Sequence, residues 1–295
     1  MMKKKIRFII NPISGIGRKN LLPGLMEQYL DHSVFDYEIT TTEYRKHAKA
    51  IAAQSAKDGF DIVCAVGGDG SVHEVGTALI GTDTKLAILP AGSGNGLARH
   101  LKVPLNMIDA IKCINEQNES VMDTVLVNDK PFLGVGGYGF DALIAKKFDE
   151  YHTRGFWSYA KLVFREYYAY KPISVKIEFP TYQRELPVVL CTLANSSEFG
   201  NGFCVSPDSN ISDGKIELCI LKPFSFWTAP AVIYRFFKRT THRSRFAEII
   251  PVEKVRITLT HKMAHYDGEP FEVRNELNVQ VIPKSLNILV GKNYK

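Results

Sequence analysis

Residues 60–75 read FDIVCAVGGDGSVHEV: an apolar run closes on three glycines set around one carboxylate, Asp69, and a helical pattern follows over 71–80. A short apolar run cut off by glycine and continued at helical period is a buried strand turning into a helix. The same grammar extends on both sides. KIRFIIN (5–11), FDYEITTT (35–42) and KLAILP (85–90) read as further strands, and helical patterns cover roughly 17–32, 44–57 and 94–118. Alternating β and α elements imply an α/β domain with a parallel sheet, whose strand-to-helix turns all lie at one edge.

After about residue 121 the pattern changes. DTVLVN (123–128), ISVKIEFP (173–180), LPVVLCTLAN (186–195), GKIELCILK (214–222), KVRITLT (254–260), FEVRN (271–275) and LNVQVI (277–282) are strand-like and separated by turn residues. They predict a second, mainly β domain. Helical patterns at roughly 139–150, 155–168 and 225–239 interrupt it, and the final SLNILV (285–290) is a strand that returns to the first sheet. The expected domains are 1–121 with 284–295, and 122–283.

The 37 Lys and Arg exceed the 31 Asp and Glu by six, which favours an anionic partner without naming it. Five cysteines lie without paired spacing, three of them inside apolar runs, and read as buried thiols of a reducing compartment. IRFII is too short for a signal peptide and no run approaches ~18 apolar residues, so a cytoplasmic protein is expected. The basic residues are dispersed except near 235–245 and carry no recognised nucleic-acid motif, so no nucleic-acid partner is expected. The oligomeric state is open, a homodimer included.

Three glycine-bearing turns fall on the same predicted edge: NPISGIG (11–17), GGDGS (67–71) and PAGSGNG (90–96). Glycine lets backbone N–H groups approach an anion closely, and the helix beyond each turn adds unpaired N–H groups, so a phosphate chain fits this edge. Any one of them is equally a tight β/α turn. A fourth glycine turn, GVGGYG (134–139), matches the dinucleotide fingerprint by letter, but only the short run PFLGV precedes it and no acidic residue closes a second strand after it. No triphosphatase P-loop and no zinc motif is present.

Phosphoryl transfer needs a base for the attacking hydroxyl and a metal to spread charge. Asp69 is placed for one of these roles, or as a helix cap. HYDGEPF (265–271) sets Asp267 and Glu269 across one glycine, either facing one cation or forming an ordinary hairpin turn.

NPISG, GGDGSVHEV, LPAGSGNGLARHL, SDGKIEL and DGEP, in that order, resemble the diacylglycerol kinase catalytic family, which includes bacterial lipid kinases and sphingosine and ceramide kinases. The resemblance spans nearly the whole chain. It implies an NAD kinase/diacylglycerol kinase-like α/β domain, a β-sandwich-like C-terminal domain, ATP in the cleft between them, Mg²⁺, and a membrane lipid as acceptor. Asn11, Ser14, Thr41, Gly67, Gly68, Asp69, Gly70, Ser93, Gly94 and Asn95 would then lie near the nucleotide. Asp69, Asp267 and Glu269 would be catalytic. Asp123 matches a metal and water network, Asp213 a structural magnesium site with carbonyls near Asn210 and Lys215, and Asp141 a position near the lipid headgroup. Asn95-Gly96 departs from the Asn-Asp common in bacterial diacylglycerol kinases, so the acceptor stays open between diacylglycerol and sphingoid or ceramide lipids.

Two rivals stand beside this reading. NAD kinases share the GGDG turn, but their Asn-Glu pair has no counterpart here, and a non-catalytic lipid or nucleotide sensor would have shed the carboxylates. A lipid kinase must also reach a bilayer. The stretch 222–246 offers Phe224, Phe226, Trp227, Phe236 and Phe237 with Arg235, Lys238, Arg239, Arg243 and Arg245. It is either a membrane-facing surface or a core-packed helix with a solvated basic end.

Overall fold

A computed structural model describes residues 3–12, 21–140, 143, 147, 165–168, 170–259, 263–272 and 275–294. The chain divides into two units, Met1–Met122 with Lys284–Lys295, and Asp123–Pro283.

The first unit is built on β1 (Lys4–Ile10), α1 (Leu22–Tyr29), β2 (Phe35–Thr41), α2 (His47–Lys57), β3 (Ile62–Gly67), α3 (Asp69–Leu79) and β4 (Lys85–Pro90). Its strands run parallel in the order β2-β1-β3-β4. Every residue of β3 is buried, which is what a central parallel strand covered on both faces requires. The chain order reverses direction between β1 and β3, and in open α/β sheets such a switch point marks the ligand edge.

The single helix expected over 94–118 is two: α4 (Gly96–His100) and α5 (Met107–Glu116). Pro104 explains the break, because the residue before a proline is pushed out of helical backbone. Lys102 turns at φ 59, and the Asn106 side chain then caps α5 by accepting the N–H groups of Ile108 and Asp109.

The second unit carries most of β5 (Glu119–Val127), then β6 (Lys130–Phe132), β7 (Val135–Gly139), β8 (Ile173–Glu178), β9 (Gln183–Val188), β10 (Leu190–Ala194), β11 (Ile216–Leu221), α6 (Ala229–Phe237), β12 (Ala247–Val252), β13 (Lys254–Leu259), β14 (Met263–Tyr266) and β15 (Glu269–Glu272). One sheet is β12-β11-β10-β7-β14-β15. In the other, β9 pairs with β8, β8 with β13, and β13 with the first part of β16 (Glu276–Leu289). Side chains of both sheets, among them Tyr138, Leu193, Leu218, Val175, Ile257 and Leu277, form one buried cluster, a sandwich core. On the other face of the first-named sheet, Val232 and Phe236 of α6 join Leu190, Cys219 and Leu221.

Three strand readings change. LPVVLCTLAN is not one strand: β9 belongs to one sheet and β10 to the other, and Val189 is the crossing residue, donating to Leu221 O and accepting from Phe140 N–H. LNVQVI and SLNILV are one strand, β16, whose residue Ile288 pairs parallel with Leu86 of β4. GVGGYG is no turn: Val135–Gly139 is β7, paired on both sides. Its glycines serve close packing, since a Cβ on Gly136 would lie 2.9 Å from the Tyr266 ring. All five cysteines are buried free thiols, and burial pushes those of Cys64 and Cys219 well above their ordinary range.

Candidate functional site

Parallel register brings three expected residues to one edge of the first sheet. Ile10 pairs with Thr41 and with Val66, and Gly67 pairs with Pro90. Asn11 then donates its N–H to Val66 O at 3.4 Å, so Asn11, Thr41 and the turns after Gly67 and Pro90 line one C-terminal edge. Ser14 lies outside the described residues.

The two glycine turns are locked together. Gly68 is extended, and α3 begins at Asp69, with Ser71 and Val72 donating to Gly68 O. Asp69 does not cap its own helix through its side chain. Its carboxylate crosses to the next turn, where Oδ2 accepts the Asn95 N–H at 2.9 Å and Oδ1 the Gly96 N–H at 2.7 Å. Asn95, 8 % exposed and at φ 53, closes its own turn by accepting from Gly92 N–H and donating to Gly92 O. Arg99 donates to Gly94 O at 3.1 Å. Gly68, Gly70, Gly92 and Gly94 are half-buried and Ser93 is exposed. The result is a pair of backbone-lined turns of fixed spacing on a helix N-terminus, a shape suited to a phosphate chain.

In the second unit, Tyr266 pairs with Glu269 across Asp267 and Gly268, whose φ values are 48 and 85. Both central residues at positive φ make the two-residue hairpin turn that Asp-Gly favours. The Asp267 carboxylate folds back onto the backbone leading into β7: Oδ1 accepts from Gly134 at 2.8 Å and Val135 at 3.2 Å, and Oδ2 from Leu133 at 3.1 Å. Gly134 is required there, because a Cβ would stand 3.0 Å from Asp267 Oδ1 and 3.3 Å from Ser196 Oγ. Glu269 is exposed beyond the turn.

Asp123, fully buried, opens the second unit. Its Oδ2 accepts the Gly214 N–H at 2.6 Å, and its own N–H donates to Ile211 O. The structure thus joins Asp123 to the turn that carries Asp213. Within that turn Asp213 Oδ1 accepts from Lys215 N–H, and Asn210 Oδ1 from Ser212. Glu217, 7 % exposed at the start of β11, has a buried Oε2 that meets no hydrogen-bond partner among the described residues. Burial first, then the charges of Asp213 and Asp208, push its carboxyl up to about 7. Glu217 was missed at the sequence level, where it reads as one polar residue in an apolar strand. The oxygen donors around Asp213 are of the hard type magnesium takes, and the charge pressing on Glu217 is one a cation would relieve. Among the described residues no group of three or more His, Cys, Asp or Glu is arranged around a metal position. Asp141 lies outside the described residues.

Residues 5–127 match the diacylglycerol kinase catalytic domain, and residues 134–290 match the YegS C-terminal NAD kinase beta sandwich-like domain. A diacylglycerol kinase of Bacillus subtilis is 29% identical over 288 residues, covering 90% of this chain and 90% of its own. A protein of Chromohalobacter salexigens named "Probable lipid kinase YegS-like" is 27% identical over 227 residues, covering 75% of this chain and 73% of its own. Among solved structures, a diacylglycerol kinase of Bacillus anthracis superposes over 100% of both chains with a TM-score of 0.76 at 19% identity. An NAD kinase of Archaeoglobus fulgidus superposes over 98% of this chain and 95% of its own with a TM-score of 0.54 at 11% identity.

Proposed function

Because the chain belongs to the diacylglycerol kinase catalytic family, with a YegS-type C-terminal domain, we propose that it transfers the γ-phosphoryl group of ATP to a lipid hydroxyl, with diacylglycerol as the first acceptor to test. The observation that carries this reading is the Asp69 clamp. One carboxylate fastens the family's GGDG turn to the amides of Asn95 and Gly96 in its GSGNG turn. Turns fixed to each other in this way present their remaining backbone donors to a phosphate chain without reorganising during the reaction.

Asn11, Ser14, Thr41, Gly67, Gly68, Gly70, Ser93, Gly94 and Asn95 bind the nucleotide in this proposal. In the reaction the acceptor oxygen forms a bond to the γ-phosphorus, the bond to the β,γ-bridging oxygen breaks, ADP leaves, and the hydroxyl proton passes to a carboxylate. Asp69 serves as that base and as the clamp, since its carboxylate stands in the turn that would face the phosphates. The hydrogen bonds of Asp267 support a positioning role in its own unit, and Glu269 is the exposed carboxylate proposed to take Mg²⁺. Magnesium, when bound, neutralises charge growing on the transferring group. Asp213, with carbonyls near Asn210 and Lys215, would hold a second, structural magnesium, and Asp123 supports that turn from beneath. Asp141 stays the proposed contact to the lipid headgroup.

The test is transfer of label from γ-labelled ATP by the purified chain with Mg²⁺, presented in parallel with diacylglycerol, sphingosine and ceramide micelles and with NAD. Labelled phosphatidic acid supports the proposal. Labelled NADP, or label on no acceptor, overturns it.

A further inference from the structure

Helix α6 has two apolar faces. Ala229, Val232 and Phe236 point into the sandwich unit, as the inner stripe of a surface helix should. The opposite face carries Pro230, Ala231 and Tyr234 at helical spacing from Trp227, and all four are exposed. Trp227 is 88 % exposed on the short turn before the helix, beside Phe226 at 44 %. Tyr168, 83 % exposed, sets its ring edge-on to Phe226, and Phe237 extends the patch by a further turn. Large aromatics gathered this way on a surface mark something that covers them.

The charges around the patch are of one sign. From Lys222 to Phe246 there is no Asp or Glu. Lys222 is tied to Glu248, and Arg239 to the buried Glu198. Arg239 also donates to Ser197 and turns at φ 56, so it is a structural residue rather than the surface charge its sequence suggested. Among the described residues, Arg235, Lys238, Arg243 and Arg245 make no ion pair with a carboxylate, and the Lys238 ammonium lies 5.7 Å from the Tyr234 ring.

We propose that Phe226, Trp227 and the outer face of α6 form the surface by which the protein lies on an anionic bilayer. The occupant rests on the lipid-kinase reading, and the surface rests on exposure and charge. A tryptophan and tyrosines ringed by unpaired cations fit the boundary between headgroups and acyl chains, where amphipathic rings bury their bodies and keep their polar ends wet. A second copy of this chain fits poorly. A twofold contact would set this face against itself and bring its own cations together.

The experiment uses the full chain and vesicles of phosphatidylcholine with or without phosphatidylglycerol, free of any acceptor. Cosedimentation is measured for wild type, Phe226→Ser/Trp227→Ser and Arg235→Glu/Lys238→Glu, and quenching by brominated lipid is compared between wild type and Trp227→Phe. Each basic residue near an anionic surface contributes about fivefold to partitioning, so reversal of two should weaken it by roughly tenfold or more. Binding should fall with salt, and the quenching difference should place Trp227 within the lipid. Phosphorylation of a short-chain acceptor dissolved in water should stay at the wild-type rate in both double variants. Vesicle binding unchanged in both variants overturns the surface, and so does loss of a dimer in sedimentation without loss of vesicle binding. Quenched Trp227 in a protein that phosphorylates no lipid leaves the surface standing and removes the kinase reading. A working kinase whose Trp227 is never quenched does the reverse.

Discussion

Gly92 and Gly68 touch backbone to backbone: a Cβ built on Gly92 would lie 2.4 Å from the Gly68 Cα. That contact brings the two turns within reach of the one Asp69 side chain. Gly92→Ala should therefore push them apart, at a cost of about 1–3 kcal/mol for an overpacked site, and raise the ATP KM at least tenfold. Gly24→Ala is the control, because nothing lies within 4 Å of its Cβ position on helix α1. Thermal unfolding and ATP titration of both variants check the pair; equal behaviour would show that the turns have room to spare.

Asp69→Asn keeps the shape of the side chain but sets an amide donor against one of the two N–H groups of Asn95 and Gly96. If Asp69 takes the hydroxyl proton as well as clamping the turns, kcat should drop by roughly 10²-fold or more with a smaller rise in ATP KM. A loss confined to KM would leave Asp69 as a positioning residue only.

The two carboxylates of the hairpin should separate by assay. Asp267→Ala strands three N–H groups, those of Leu133, Gly134 and Val135. Each buried donor left unpaired costs about 1–3 kcal/mol, less where water reaches it, so unfolding of this variant should come several degrees earlier. Glu269→Gln, on an exposed side chain, should change stability by no more than about 0.5 kcal/mol while slowing transfer. Stability lost in Glu269→Gln and kept in Asp267→Ala would invert both assignments.

The parallel sheet was legible because its inner strands Ile62–Gly67 and Lys85–Pro90 are almost wholly buried and so are written as unbroken apolar runs. The strand Val135–Gly139 was not, because three of its five residues are glycines, Gly136 and Gly139 in close approach to neighbouring strands, and glycine in sequence signals a turn. Nor was the sheet change at Val189, where an apolar run continues while the hydrogen-bond partners switch from β8 to β7 and β11. Candidate site residues could be picked out by spelling, but their partners could not. Asp69 reaches Asn95 across 26 residues and Asp267 reaches Leu133 across 134, separations that local patterning does not encode.

Glu217 supplies a test that needs no substrate. Its carboxyl is held up to about 7, against an ordinary value near 4.5, first by burial and then by Asp213 and Asp208. Between these two values the unfolded chain has released this proton and the folded chain has kept it, so the folded state binds the extra proton and stability falls as pH rises. The contribution is complete below pH 4.5 and gone above about 7. One unit of displacement corresponds to about 1.4 kcal/mol, so the loss across this window is roughly 3 kcal/mol. Glu217→Gln keeps a neutral side chain at every pH and should flatten this part of the stability profile, measured by urea unfolding from pH 4.5 to 7.5. If the turn at Asp213 binds a divalent cation, added Mg²⁺ should stabilise wild type most at the upper end of that range, where the neighbouring carboxylates are all charged. The Mg²⁺ effect should vanish in Asp213→Ala. A wild-type profile no steeper than that of Glu217→Gln would mean that Glu217 is ionised in the folded protein and that its buried oxygen has found a partner.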